Sequence, residues 1–391
     1  MSSSTASANT PAASSVRSDV VIVGAGIVGL AHAFEALGHG LSVTVVERDR
    51  EPVGASIRNF GHCCITAQDG DLLALARRSR AGWLRAAGAA GFWAEQAGAL
   101  VVARSATEAA VLEELSAERG ADAVQLRTAA QTAEALGRPA GRADDLVGGA
   151  LLPADLRVNP REAAPALARW VAEQPQGRVL WGTAVTGVES GTVHTTRGPV
   201  HGDRILVCVG HDVDYLFPDI AEDHGIERCR LSMARVQAPA GFRTDAAVLT
   251  ATSMLRYDAF TAQPSAAALR TEVLGHSADL LGIGANVMFT RLPDGTVLVG
   301  DSHHYDATTP PFVDERTWEL LIDAVAGVLG VPALKVLERW QGVYASSPRG
   351  PLLVRDLAPG VRAVSVTSGV GMTLSFGLAA ATFDGTLAAT A

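Results

Sequence analysis

The chain has 391 residues, of which 48% are hydrophobic and 19% charged, with a formal net charge of −9 and no basic stripe with interleaved aromatics. That length can hold two domains with ample core, and that balance describes an ordinary folded protein while arguing against nucleic acid as a main partner. No stretch is long and apolar enough to predict a membrane span. The cysteines Cys63, Cys64, Cys208 and Cys229 show neither C-x-x-C nor metal-ligand spacing, so they read as buried or site-lining free thiols, with no metal expected.

Residues 1–17, MSSSTASANTPAASSVR, are rich in Ser, Thr and Ala and lack an apolar run, which predicts a disordered tail without a signal peptide and hence a cytoplasmic protein. The stretch Asp19–Arg48 then reads as a complete β-α-β unit. Val20–Val23 is a β-branched strand buried on both faces, Ile27–Leu37 an apolar helix that Gly38 stops, and Leu41–Val46 a second strand ending in Glu47 and Arg48. Gly24, Gly26 and Gly29 have the spacing G-x-G-x-x-G: the first permits the tight turn, the second lets a pyrophosphate approach, and the third lets helix and strand pack closely. The amides at Ile27 and Val28 and the positive end of the helix face those phosphates. Glu47 is placed to accept from ribose hydroxyls, and its charge disfavours the 2′-phosphate of NADP.

The next segment, EPVGASIRNFGHCCITAQDG, is too rich in Gly and polar residues for one helix and leaves the sheet on its ligand side. Ser56, Arg58 and Asn59 are donors suited to a pyrophosphate or a ring carbonyl, and His62 is a candidate to line a reaction pocket. Helices are expected over Asp71–Glu95, with Arg77, Arg78, Arg80 and Arg85 on a solvated face, and over Thr107–Glu118. Asn159, Pro160 and Glu162 form a helix start. Strands follow at Arg178–Ser190, Thr192–Thr196 and Arg204–Val209, the last leading to a second glycine turn at Gly210. From Cys229 to Gly300 the chain reads as short strands and turns, among them RLSMARVQAP, SMLRYDAF and ANVMFTRLPDGTVLVGDSHHYD. The return strand Val297–Gly300 delivers Asp301, Ser302, His303 and His304, and successive strand residues point to opposite faces, so at most one histidine faces a ligand. Asp314–Leu329 reads as an amphipathic helix and Leu337–Tyr344 as a strand. Arg362–Thr367 forms a last strand, Gly369 and Gly371 a turn, and Met372–Ala389 a closing helix.

GAGIVG with Glu47, the RILVCVG strand and the late segment TSGVGMTLSFGLAA together resemble the FAD-dependent amine oxidase superfamily that contains D-amino acid, glycine and sarcosine oxidases, over essentially the whole chain after residue 18. The resemblance implies an α/β fold in which a Rossmann-like FAD-binding domain (residues 18–80, 150–215 and 336–391) carries an inserted antiparallel-sheet substrate domain (residues 81–149 and 216–335). It implies FAD as cofactor, contacts from Val185 to adenine, and a helix start at Gly369, Gly371, Met372 and Thr373 directed at the flavin. It also implies hydride transfer from the carbon beside a substrate nitrogen, with oxygen or another electron acceptor taking the electrons afterwards. Sarcosine-oxidase relatives carry a flavin-bonded cysteine near Ser346–Arg349. This chain has none after Cys229, so its FAD is expected to be noncovalent. Thr373 stands where those relatives hold a substrate carboxylate with lysine.

GASIRNFG, CRLSM and VGDSHHYD resemble more narrowly a branch associated with aminophosphonate catabolism. That implies a small 2-aminoethylphosphonate derivative, N-methyl or 1-hydroxy, as substrate. A phosphonate wants several donors, and Arg58, Arg256 with Tyr257, Arg349, His303 and His304 are the candidates. Two alternatives stand beside it: a glycine, sarcosine or D-amino acid oxidase, and a flavin-binding protein without turnover of its own.

Overall fold

The computed structural model describes residues 16–138 and 145–390. The expected tail thus lies outside the described residues as far as residue 15, while residues 16 and 17 already belong to the first strand.

Five parallel strands form the centre of one sheet. Val16–Val23 pairs with Val43–Val46 on one side and Val200–Val207 on the other; Gly177–Leu180 and Val361–Val366 extend the two flanks. Alternate residues of the first strand serve different cores, as a period of two requires. Val20 and Ile22 pack under the helices, whereas Val21 and Val23 join Val193, Val200 and Val361 on the opposite face. Three antiparallel strands, Val185–Glu189, Thr192–Thr195 and Leu352–Ala358, complete this eight-stranded sheet.

The helical layer consists of Ile27–Gly38, Gly70–Ala90, Pro160–Glu173 and Gly371–Phe383. Small residues let it close: a Cβ at Gly377 would run into the carbonyl of Leu75, and one at Gly82 into the ring of Phe376. Trp83 is fully buried, and its indole N–H donates to the carbonyl of Met372 at 2.7 Å, which ties the long second helix to the start of the last. Burial of a side chain of this size is worth about 3–5 kcal/mol against truncation to alanine. Arg78, Arg80 and Arg85 do more than face solvent: they reach Asp384, the carbonyl of Ala154 and Glu35 respectively.

A second sheet of nine strands has Glu227–Gln237 at its organising position, hydrogen-bonded to Thr296–Gly300, His304–Asp306 and Val336–Ser346. It is antiparallel except where Ala247–Leu249 runs parallel to Ala99–Ala103. Three expectations are corrected here. Val336–Ser346, placed with the FAD-binding pieces, pairs along almost its whole length with Glu227–Gln237, and the chain rejoins the first sheet only at Leu352. The segment SMLRYDAF, read as a strand, is helical at Ala251–Met254 and Asp258–Thr261, because Met254, Ala259 and Phe260 are all buried in one core and only a coiled path brings them there together. The helix expected to run to Glu95 ends at Ala90, where Gly91 takes a left-handed φ of 71° and frees Ala94–Glu95 to form a short strand. That strand joins His62–Cys63 on either side of Leu156–Val158 in a third, small sheet.

Candidate active site

A cavity of about 320 Å³ opens at the carboxyl ends of the central parallel strands, where ligands of doubly wound sheets bind. Gly24, with φ of 103°, turns the chain from the first strand into the first helix; a Cβ there would stand 2.6 Å from the carbonyl oxygen of Cys208. Gly29 does not line the cavity. It lies on the helix, where any Cβ would meet the carbonyl of Gly24, so it sets how closely helix and strand approach. Glu47 is fixed at the rim: one carboxylate oxygen accepts from the amide of Ala25 at 2.8 Å and the other from that of Asp49 at 3.0 Å. Ser56 Oγ accepts from the amide of Ile27 at 2.8 Å, which places a hydroxyl at the helix start. Arg48 also lines the cavity and pairs with Asp212 at 2.6 Å.

Val28, Arg58, Asn59, Val185 and Gly210 line the same cavity, and so do Gly369, Gly371 and Met372 at its far end. Gly26 leaves the approach to the helix amides open except for the Ser56 hydroxyl. A long cavity with a backbone-lined phosphate turn, a carboxylate at the ribose position and a helix start at the opposite end fits FAD. Gly24, Gly26, Ile27 and Glu47 would hold its nucleotide half, and the Gly369–Met372 segment its ring half.

Against that far end lies a second cavity of about 70 Å³, and Asn59, Leu231, Tyr344, Gly369 and Met372 belong to the walls of both. The positive φ of Gly369, 79°, brings its backbone against the ring of Tyr344, where a Cβ would stand 2.8 Å from the hydroxyl. Arg256 enters from the turn between the two short helices. Its Nη2 donates to the Tyr344 hydroxyl at 2.9 Å and its Nη1 approaches that of Tyr305 at 3.4 Å. Burial works against its charge, but Tyr344, Tyr305 and Asp301 outweigh that and hold its pKa above the ordinary value. Tyr257 lines the cavity as a neutral phenol, its pKa raised by burial.

His303 Nδ1 lies 2.8 Å from the carbonyl of Gly284, which can only accept, so Nδ1 carries the ring proton and Nε2 the lone pair. Burial, seconded by the Arg256 charge, keeps this ring neutral by lowering its pKa well below the usual value. Asp301, on the same strand end, is raised to about 7 by burial, with Arg256 opposing. His62 contacts the cavity too, and its Nε2 is 2.8 Å from Asp155 Oδ2. Asp155 is completely buried, and its other oxygen accepts from the amides of Ile65 and Thr66 at 3.1 and 2.8 Å. His62, Cys64 and Asp155 lie within 4.8 Å of one another, but the carboxylate oxygens are already taken by these donors, so the cluster reads as hydrogen-bonded rather than metal-binding.

Of the sequence candidates for substrate contact, the structure brings together His62, Arg256, Tyr257, His303 and Thr373 around the small cavity. Thr373 is not part of the large cavity; its hydroxyl accepts from the amide of Cys64 at 3.0 Å. Arg58 lines the large cavity alone, and its guanidinium reaches the carbonyl of Gln341. His304 points outward from its strand, and Arg349 lies outside both cavities, 3.6 Å from Asp223. Sequence reasoning missed Asp301, Asn286, Tyr344 and Asp155. Asp301 adjoined the histidines it did select, but the other three carried no local motif.

The sequence matches the family model described as DAO, FAD dependent oxidoreductase, over residues 19–384. No curated protein matches it significantly. In fold it is similar to glycine oxidase from Geobacillus kaustophilus, with a TM-score of 0.73, 19% identity and 94% of each chain covered. It is also similar to iminodiacetate oxidase from Chelativorans sp., with a TM-score of 0.72, 18% identity and 95% and 97% of the two chains covered. A third likeness is to the FAD-bound L-α-glycerophosphate oxidase from Mycoplasma pneumoniae, with a TM-score of 0.67, 19% identity and 93% and 94% coverage. With the nucleotide turn, the far helix start and nearly the whole length in agreement, the chain belongs to the DAO family of FAD-dependent oxidoreductases.

Proposed function

We propose that this enzyme oxidises a small amine that also carries an anionic group, seated in the cavity lined by Arg256 and Asp301, and that the substrate is a 2-aminoethylphosphonate derivative, N-methylated or 1-hydroxylated. The observation that carries the reading is the Arg256 guanidinium. It is held by two phenols, and among the described residues no carboxylate lies at ion-pair distance from it, Asp301 attracting it only from further off, so its remaining donors stay free for a ligand's anion. When bound, FAD supplies the oxidation by accepting a hydride from the carbon beside the substrate nitrogen. Arg256 neutralises the anion and fixes its distance from the Gly369–Met372 wall. On this reading the second sheet is the substrate-binding half and FAD is held without a covalent bond, all four cysteines being buried thiols.

The guanidinium flanked by two phenols can bind either a carboxylate or a phosphonate, and the phosphonate reading rests on the several donors a charge of up to −2 would use there. A neighbour in fold is named for a phosphorylated substrate. The small volume, about 70 Å³, also suits glycine or sarcosine, and the fold's likeness to glycine oxidase supports that second reading. Anaerobic bleaching of the bound flavin separates them. N-methyl-2-aminoethylphosphonate is expected to reduce it fast, N-methyl-β-alanine and sarcosine slowly; bleaching by sarcosine alone would return the substrate to the amino acids.

A further inference from the structure

Asp301 is 4% exposed, and its Oδ1 has no hydrogen-bond partner. Its backbone is fixed, since its amide donates to the carbonyl of Asn286 at 2.9 Å and its carbonyl accepts from the amide of Asn286 at 2.8 Å. Its Oδ2 faces His303 Nε2 at 3.7 Å, and that nitrogen carries a lone pair because Nδ1 holds the proton against Gly284. Arg256 attracts the carboxylate and the Asn286 side chain stabilises its charge, but Oδ1 has no hydrogen bond within ordinary distance and Oδ2 faces an acceptor, so the group is under-supplied with donors for a buried carboxylate. A buried carboxylate oxygen without a donor is costly, and a bound ligand can supply the missing one.

The groups facing it come from every neighbouring element. Arg256 and Tyr257 lie on the helical turns after Thr250, Cys229 on the long central strand, Asn286 beside it, His303 beyond it, and His62 and Tyr344 across the cavity. Burial keeps the Cys229 thiol and the Tyr257 phenol protonated. Arg256 is thus the cation of the cavity and Asp301 its one anion-forming group among these neighbours.

We propose that Asp301 is the subsite for the substrate ammonium and the acceptor of its proton, so that the cavity is a receptor for zwitterions with Arg256 at the anionic end. This rests on the amine-oxidising reading above. In the step, one N–H bond of the ammonium breaks, an O–H bond forms on Asp301, and the bonding pair stays on nitrogen; nothing is oxidised. The free lone pair is what makes the adjacent carbon a hydride donor. A carboxyl that burial raises to about 7 suits this task, being mostly ionised at pH 8 and able to take a proton from the amine.

The test uses the FAD-loaded enzyme under anaerobic conditions and paired probes differing only in the amine: 2-aminoethylphosphonate against ethylphosphonate, and 2-aminoethanesulfonate against ethanesulfonate. Affinity is read from the perturbation of flavin absorbance, or from saturation of the reduction rate where a probe bleaches it. At pH 8 the wild type should bind the amine member of a pair at least about tenfold more tightly, in line with a charge-assisted hydrogen bond. Asp301→Asn should abolish the preference and keep the affinity for the amine-free anions; Arg256→Met should weaken all four probes. If Asp301→Asn does not accumulate with bound flavin, the wild-type sulfonate pair decides, because its charges are constant between pH 6 and 8 and the preference should fall as Asp301 protonates. A preference that survives Asp301→Asn, is flat from pH 6 to 8, or is absent from both pairs overturns the proposal. If the preference holds but no amine reduces the flavin, the subsite stands and the oxidation reading falls.

Discussion

The two cavities are built by different means. The large one is mainly backbone: glycines, amide groups, helix starts, and side chains such as Glu47 and Ser56 that hold the turn itself. The small one is made of buried side chains, Arg256, Asp301, His303, Tyr344 and His62, carried there by elements far apart in the chain. Backbone cradles suit a cofactor shared by a whole family, because the turn geometry alone presents the donors. Side-chain cavities suit discrimination among substrates, because each charge is worth most where water is excluded.

The largest effect should come from attacking the backbone cradle. Gly29→Val places a branched side chain where even a Cβ would meet the Gly24 carbonyl, and overpacking of this kind costs about 1–3 kcal/mol or more. The purified variant should carry almost no flavin, read as the ratio of visible to ultraviolet absorbance; normal flavin content would mean that close packing at this turn is not needed. Arg256→Met should leave flavin content intact and raise the apparent Kd for the anionic substrate about 100-fold, the roughly 3 kcal/mol expected when one member of a desolvated charge contact is removed. Loss of flavin in that variant would erase the distinction between the two cavities.

Asp155→Asn turns one of its two oxygens, each of which accepts from the His62 ring or the Ile65 and Thr66 amides, into a donor. A loss of about 2–3 kcal/mol in stability should follow, measured by denaturant unfolding, and an unchanged midpoint would show that the cluster is not anchored this way. The next effect is a pH dependence. Burial raises Glu108 to about 7, against the hydrogen bond from the Arg104 amide. A carboxyl whose folded pKa lies above its unfolded value contributes stability that is fully present below the unfolded pKa and lost as pH rises through the folded one. Glu108→Gln should therefore gain on the wild type in thermal melts between about pH 4.5 and 7, then run parallel above that window; curves parallel throughout would contradict it. Asp301 acts with the same sign. Smallest of all, Arg349→Ala breaks an exposed pair with Asp223, so stability should change by less than about 0.5 kcal/mol and KM not at all. A raised KM would restore Arg349 to the substrate site.

The nucleotide turn was legible because each of its requirements is local. Gly24 must adopt a positive φ, Gly26 must leave room and Gly29 must allow contact within a dozen residues, so their spacing is written directly in the chain. Strand alternation predicts that His303 and His304 split between two faces, but in the structure Asp301, Ser302 and His303 are all buried ahead of the strand His304–Asp306, whose residues are all exposed, so His303 is buried and His304 exposed for a different reason. Arg256 was visible only as a residue type, and its segment was misread as strand because burial of Met254, Ala259 and Phe260 overrides a weak local pattern. Tyr344 and Asp155 gave no signal, since one lies on a strand read as belonging elsewhere and the other in a turn without a motif.

The amino-acid sequence by itself determined the parallel sheet, the glycine turn and the acid after the second strand, because each follows from short-range sterics and periodicity, while the family rested on the resemblance of its motifs. Only the tertiary structure decided that Asp301 faces Arg256 across one small cavity, that a neutral His303 denies that carboxylate a donor, and that Arg349 stays outside. Those outcomes depend on which strands pair and how far each side chain is buried. Charge, tautomer and proton affinity are set by that surrounding volume, which no single segment encodes.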